Sequence, residues 1–161
     1  MRRTAYALLA SLLALASCES IDCTLNNIVT CNYAFYNSEG EAVGVSDTLT
    51  VTADGTDSIL LNKEANVETF SIPMSYWRDE DTLNLSFKSA NSDYVLRMVM
   101  YVGKTNHEYF ESPDCPTSMF HELKSLYFET NTPFVDSVVV VNKAVNYDAQ
   151  ENVRIYLHTA D

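Results

Sequence analysis

The sequence has few basic residues, no long apolar run after its first 17 residues, and no recognisable catalytic or nucleotide-binding motif. It contains 10 Lys and Arg against 22 Asp and Glu, which gives a net charge of −12. An acidic surface repels a phosphate backbone, so we expect no nucleic-acid partner. No stretch beyond residue 17 approaches the roughly 20 apolar residues that a membrane-spanning helix needs.

Metal-binding and catalytic signatures are missing as well. The three histidines, at positions 107, 121 and 158, have no paired-ligand spacing, and the chain has no C-x-x-C, so we predict no metal site. Cys115 and His121 are close enough in sequence to suggest a thiolate and its base. Cys115 lies next to two prolines, and the N-terminal sequence described below predicts export to an oxidising compartment. Cys115 is therefore better interpreted as half of a disulfide. We therefore predict a protein that is not an enzyme, with no catalytic residue and no cofactor.

The first 17 residues have the layout of a bacterial export signal. Two arginines precede an apolar run over residues 6–16, and the small Ser17 ends it. Cys18 directly follows a Leu-Ala-Ser triplet, a spacing that resembles the lipobox of bacterial lipoproteins, whose cysteine carries the acyl chains that hold the protein on a membrane. We expect residues 1–17 to be a lipoprotein signal peptide, Cys18 to be lipidated, and residues 18–24 to form the anchor and a short tether.

The predicted anchor determines where the protein acts. Removing residues 1–17 removes two arginines and no acids, so the mature chain carries 8 − 22 = −14. Such a surface disfavours lying flat on anionic headgroups, and the lipid on Cys18 is then the attachment to the membrane. We expect an exported, lipid-anchored protein, most simply of the outer membrane. A run of acidic residues after the lipidated cysteine can direct a lipoprotein to the cell surface. Glu19 and Asp22 are only two such residues, so they do not distinguish the periplasmic face from the cell surface.

From residue 28 onward, apolar and polar residues alternate with period two, which predicts strands. Residues 103–106 have the composition of a turn, and residues 117–123 suggest one short helical turn. Strands that are short and regularly spaced favour an antiparallel β-sandwich of about eight to nine strands, with a barrel as the alternative. We expect one domain over residues 25–161. The predicted strands cover residues 28–36, 48–52, 58–62, 68–72, 82–87, 93–102, 107–111, 126–129, 135–142 and 152–157.

The aromatic residues are the most suggestive feature for binding. The chain has 10 Tyr, 7 Phe and a single Trp. Most of them, such as Phe35 and Phe70, have the inward phase of core residues. Tyr76 and Trp77 lie in a loop beside acidic residues, and aromatic rings in such a loop are typical of sugar-stacking platforms. We predict Tyr76 and Trp77 as a candidate ligand-binding site.

Six short segments, taken together, resemble a known family. These are CTLNN at residues 23–27 leading to FY at 35–36, FSIP at 70–73, FESPDC at 110–115 with MFH at 119–121, and NVRIY at 152–156. The pattern resembles a family of uncharacterised lipoproteins from Bacteroidota, catalogued as a domain of unknown function. The resemblance implies an exported, lipid-anchored β-domain and transfers no activity.

The resemblance also implies a disulfide between Cys23 and Cys115. The residues themselves leave Cys31–Cys115 and Cys23–Cys31 open as alternatives, because three cysteines remain once Cys18 carries lipid. The inward phase of Cys31 in the first strand suits a buried thiol.

Two functions are consistent with these features. The first is a non-catalytic structural or interaction module of the cell envelope that contacts a protein partner. The second is a surface lipoprotein that binds a glycan or another ligand through Tyr76 and Trp77.

Overall fold

The computed structural model describes Cys23, residues 28–56 and residues 58–158, and this part of the chain is built from strands. The predicted signal peptide and Cys18 lie outside the described residues. The ten strands are β1 (Thr30–Tyr36), β2 (Thr48–Ala53), β3 (Ile59–Glu64), β4 (Thr69–Pro73), β5 (Glu80–Lys88), β6 (Val95–Tyr109), β7 (Ser118–Thr130), β8 (Val135–Val140), β9 (Ala144–Val145) and β10 (Val153–Leu157).

The strands form two sheets, which confirms the predicted β-sandwich. One sheet has four strands in the order β4-β1-β10-β8, and the other has six in the order β3-β2-β5-β6-β7-β9. One of the two sheets is curled, so the sandwich carries some of the barrel character of the alternative prediction. Pairing is antiparallel throughout except between β1 and β10, which run parallel. The predicted antiparallel arrangement thus holds for every pair of strands in the described residues except this one.

The inward-facing apolar side chains of the alternating strands fill the space between the sheets, as the sequence predicts. Inward residues of β1 and β4 stack their rings, with the centroids of Tyr33 and Phe70 4.9 Å apart. Phe35 packs edge-on against Phe87 of the opposite sheet at 5.9 Å. Cys31 lies in the same apolar layer as an unpaired, fully buried thiol.

Strands β6 and β7 form one long hairpin where a turn and a helical turn were predicted. Residues 103–106 are not a turn but continue β6, and Gly103 pairs with Ser125 across the hairpin. A Cβ atom at Gly103 would press on the hydroxyl of Ser125, so glycine suits this close approach rather than a turn. Residues 118–123 are extended and belong to β7, so the predicted helical turn was wrong as well.

A bulge in β7 explains the wrong helical prediction. Gly103 pairs with Ser125 while Lys104 pairs with Leu123, which leaves Lys124 as an extra residue. The extra residue reverses the inward phase, so alternation over residues 118–130 looks broken in the sequence. The bulge divides the hairpin into a core half (residues 95–103 and 125–130) and a distal half (residues 104–109 and 118–123). Among the residues that the structure describes, no helix is long and apolar enough to cross a membrane.

Candidate functional site

The distal half of the hairpin is covered on its inner face by the loop of residues 74–79, which we call the Trp77 loop. This loop follows β4, whose last residue Pro73 pairs with Thr30 at the start of β1. It enters β5, whose first residue Glu80 pairs with Gly103 at the bulge. The connection therefore passes over the side chains that β6 and β7 direct inward beyond the bulge.

Several of those inward side chains are polar, and one of the most deeply buried is Lys104. It follows Met98, Met100 and Val102 on the inner face of β6, and its side chain has no solvent exposure. Its ammonium donates to the carbonyl oxygens of Ser75 at 2.8 Å and Arg78 at 2.5 Å. Burial lowers the pKa of Lys104, and the nearby carboxylate of Asp81 opposes that shift.

Asp81 supplies the charge that balances Lys104. Its carboxylate oxygen lies 3.5 Å from the ammonium. The same carboxylate accepts hydrogen bonds from the backbone N–H of Ser75, at 3.0 Å, and from the Ser75 hydroxyl. In addition, the backbone N–H of Lys104 donates to the carbonyl of Asp79 at 2.7 Å. A paired, fully hydrogen-bonded charge thus holds the Trp77 loop near both of its ends.

Asn106 extends this network to His121 on the facing strand. Its amide nitrogen donates to the carbonyl of Arg78 at 3.0 Å, and its amide oxygen accepts from Lys104 at 3.1 Å. The amide oxygen is also 2.7 Å from Nδ1 of His121. Because that oxygen only accepts, the Nδ1 atom of His121 must carry the proton, and Nε2 is left as a buried lone pair without a partner among the described residues.

This environment keeps His121 neutral. Burial lowers its pKa to about 4, and the positive charge of Lys104 acts in the same direction. A histidine that stays neutral, with one nitrogen bound to Asn106, has a structural role in holding the loop. The position of His121 beside Cys115 in the sequence does not translate into a thiolate and its base, because Cys115 is bonded to another cysteine.

The network presents Trp77 to solvent. The Trp77 side chain is 87% exposed, the most exposed large apolar side chain among the described residues. Tyr76 is half-buried, with its ring centroid 6.4 Å from that of His121. The two predicted ligand-binding residues are thus neighbours with different roles: Tyr76 faces the network and Trp77 faces outward. Together they border a cleft of about 240 Å³ whose other lining residues are Glu108, Thr117, Ser118 and Met119.

The outer face of the distal half carries a separate aromatic cluster. Tyr109 and Phe120 stack with centroids 4.3 Å apart, and Tyr147 packs edge-on against Phe120 at 5.1 Å. The Tyr147 hydroxyl also hydrogen-bonds to the hydroxyl of Ser118. The cluster stiffens the end of the hairpin where the flanking sheet gives no cover. Beyond it, Phe110 is 63% exposed.

A disulfide closes this end of the molecule. It joins Cys23 to Cys115, with Cα atoms 5.6 Å apart, and this is the pair that the family resemblance implies. Cys115 lies in the loop between β6 and β7, three residues before β7 begins. Thr117, two residues further on, lines the cleft beside Trp77. The disulfide, the Trp77 loop and Phe110 therefore share one end of the structure.

The sequence singles out Tyr76 and Trp77 as candidates but not the residues that support their loop. Lys104 and Asn106 are polar and lie in the predicted turn, and the polar His121 lies in the predicted helical turn. Their signal was phase: Lys104 and Asn106 continue the inward even-numbered series of β6. No cluster of three or more potential metal ligands occurs in the described part of the chain.

Comparison with known proteins gives a family and no activity. A family model described as a family of unknown function (DUF6452) matches residues 48–157, which run from β2 to the end of β10. No curated protein and no solved structure matches the chain.

Proposed function

The chain belongs to this family of unknown function, and we propose that it is a lipid-anchored, non-catalytic interaction module of the bacterial cell envelope, of the kind found in Bacteroidota. In this proposal Cys18 carries the lipid and the β-sandwich contacts an envelope protein at the membrane surface. The outer membrane is the proposed location.

The observation that carries the proposal is the disulfide between Cys23 and Cys115. Disulfides persist in oxidising compartments such as the periplasm and the cell surface, which agrees with an exported chain. Cys23 follows the lipobox cysteine by five residues. The crosslink thus fixes the folded domain directly behind the proposed anchor, and the domain cannot range far from the membrane.

The arrangement of the candidate nucleophiles supports a non-catalytic role. Cys115 is consumed by the disulfide. Burial raises the pKa of the Cys31 thiol to about 12, so it is not a thiolate at physiological pH. His121 is buried, committed to Asn106 and too weakly basic to accept a proton near pH 7.

The anchor is tested by metabolic labelling with a palmitate analogue in the native host. Wild-type protein should carry the label and fractionate with membranes, and Cys18→Ala should do neither. Equal labelling of the two proteins would refute the anchor. Crosslinking in native membranes followed by pull-down then tests the interaction role, and a protein that recovers no partner would count against it.

A second candidate function is glycan binding, favoured by the exposed Trp77 ring beside the polar groups of Glu108, Thr117 and Ser118. An exposed indole can stack on a sugar while hydroxyl and carboxylate groups accept its hydrogen bonds. Trp77 is the only tryptophan, so its emission reports this site alone. A polysaccharide panel should change that emission if the candidate is right, and Trp77→Ala should abolish binding measured by calorimetry.

A further inference from the structure

Exposed aromatic side chains and the attachment point of the proposed lipid occupy the same end of the molecule. Trp77 is 87% exposed and Phe110 is 63% exposed. Trp77 borders the same cleft as Thr117, two residues from the disulfide at Cys115. We call this region, defined by Trp77, Phe110 and Cys115, the anchored end.

The length of the tether limits how far the anchored end can lie from the lipid. Cys23 lies five positions after Cys18, and five fully extended steps of the chain span roughly 17 Å. The disulfide adds 5.6 Å between the Cα atoms of Cys23 and Cys115. Whatever path the tether takes, the anchored end is therefore close to the membrane surface.

The opposite end of the hairpin, in its core half, is far from the anchor. Strand β6 has 15 residues from Val95 to Tyr109, and at about 3.3 Å per residue it is roughly 45 Å long if straight. Tyr94 lies just before β6, at the core-half end of the hairpin, and its side chain is 53% exposed. The two ends of one strand thus give an aromatic residue close to the anchor and another remote from it.

We propose that Trp77 and Phe110 insert into the interface of the membrane that carries the protein's own lipid anchor, so that the domain is docked in a fixed orientation. This inference rests on the proposed lipidation of Cys18. Indole and phenyl rings are favoured at the boundary between headgroups and acyl chains. The Lys104 network holds the Trp77 loop in place, so little conformational freedom is lost on docking.

The charges at the anchored end specify the lipid. The exposed carboxylate of Glu108 borders the cleft beside Trp77, and that of Asp114 is also exposed, one residue before Cys115. Carboxylates repel anionic headgroups. They complement an ammonium-bearing zwitterionic headgroup instead. The occupant of the surface is therefore a phosphatidylethanolamine-type lipid rather than an anionic one.

The test uses the native lipidated protein, reconstituted in vesicles of phosphatidylethanolamine and phosphatidylcholine. Its single tryptophan makes Trp77 emission a direct reporter. Emission should shift to shorter wavelength, acrylamide quenching should decrease, and lipids brominated near the headgroup should quench, each relative to soluble Cys18→Ala protein. Replacing part of the zwitterionic lipid with phosphatidylglycerol should reduce all three effects.

A matched control moves the reporter to the far end. In Trp77→Phe with Tyr94→Trp, the new tryptophan should remain open to acrylamide in the same vesicles. Wild-type protein that floats with the vesicles but keeps an accessible Trp77 would overturn the docking while leaving the anchor intact. Protein that lacks lipid and does not float would overturn both. Protection in native membranes but not in pure lipid would assign Trp77 to a protein partner, against the inference.

Discussion

The core and distal halves of the β6–β7 hairpin share two strands, with a register shift between them, and their inner faces differ in polarity. In the core half, Met98, Met100 and Val102 are fully buried against the four-stranded sheet. In the distal half the same face carries the polar Lys104, Asn106 and His121 under the Trp77 loop, and Met119 and Leu123 of β7 add apolar side chains there.

The difference shows how a strand can extend beyond the opposing sheet of a sandwich. Where a second sheet is available, apolar side chains fill the gap between the layers. Where only a loop is available, the loop's own carbonyls and N–H groups need partners, and an apolar face cannot supply them. The polar side chains of the distal half satisfy that backbone, and the loop in turn excludes water from them.

The largest effect on this arrangement should come from Lys104→Met. The substitution leaves Asp81 and the carbonyls of Ser75 and Arg78 buried without their shared donor, so we expect a loss of about 3 to 4 kcal/mol in the free energy of unfolding. Urea denaturation measures this loss, and Trp77 anisotropy should fall because the loop is released.

Lys124→Met is the matched control, because Lys124 is exposed at the bulge of the same hairpin. It should change stability by less than about 0.5 kcal/mol. Adding Asp81→Asn to Lys104→Met should recover part of the loss, since the unpaired charge is gone. Equal stabilities for the two lysine variants would show that the network does not hold the loop.

The core half should respond differently to truncation. Met100→Ala removes a fully buried side chain and should cost about 2 to 3 kcal/mol, towards the lower end for such changes because flexible Met98 beside it can relax into the space. Trp77 anisotropy in the folded protein should stay at the wild-type value. A lower Trp77 anisotropy in this variant would contradict the claim that the core half does not hold the Trp77 loop.

The two halves also differ in how far the sequence reveals them. Alternation identified the core half because its inward residues, such as Met98 and Met100, are apolar, and the same signal placed Tyr33 and Phe35 in the core. It failed over residues 103–106 and 118–123 of the distal half, because Lys104 and His121 are polar residues in inward positions and the extra Lys124 reverses the phase.

Trp77 could be proposed from its residue type and loop context, but the hydrogen bonds that hold its loop could not. Ser75 and Lys104 are 29 positions apart, and only the strand order brings them together. Local patterns carry no information on such a contact. The disulfide was reached from the family resemblance, since the spacing of the cysteines left three pairings open.

His121 should make the stability of the distal half depend on pH. The pKa of His121 is about 4 in the folded protein, below its usual 6.5. As pH falls from 7 to 5, the unfolded chain binds this proton and the folded chain does not, so stability decreases, by about 2 kcal/mol from this group.

Comparison with His121→Asn isolates that contribution. The Asn side chain can donate to Asn106 as Nδ1 does, and it does not titrate, so urea midpoints measured at pH 7 and pH 5 should lie closer together than in wild type. His107→Asn, at an exposed position of the same hairpin, should keep the wild-type difference. An unchanged pH dependence in His121→Asn would mean that His121 is protonated in the folded state.

The smallest effect should come from Trp77→Ala. The side chain is 87% exposed and contributes nothing to the Lys104 network, so the free energy of unfolding should change by less than about 0.5 kcal/mol in urea denaturation. Trp77→Phe should behave in the same way. A loss above 1.5 kcal/mol in either variant would show that the indole packs on the domain in solution. If the loss stays small, a buried charge pair and its hydrogen bonds support a loop whose largest side chain does not help the protein fold, and that side chain is then available for a surface outside the molecule.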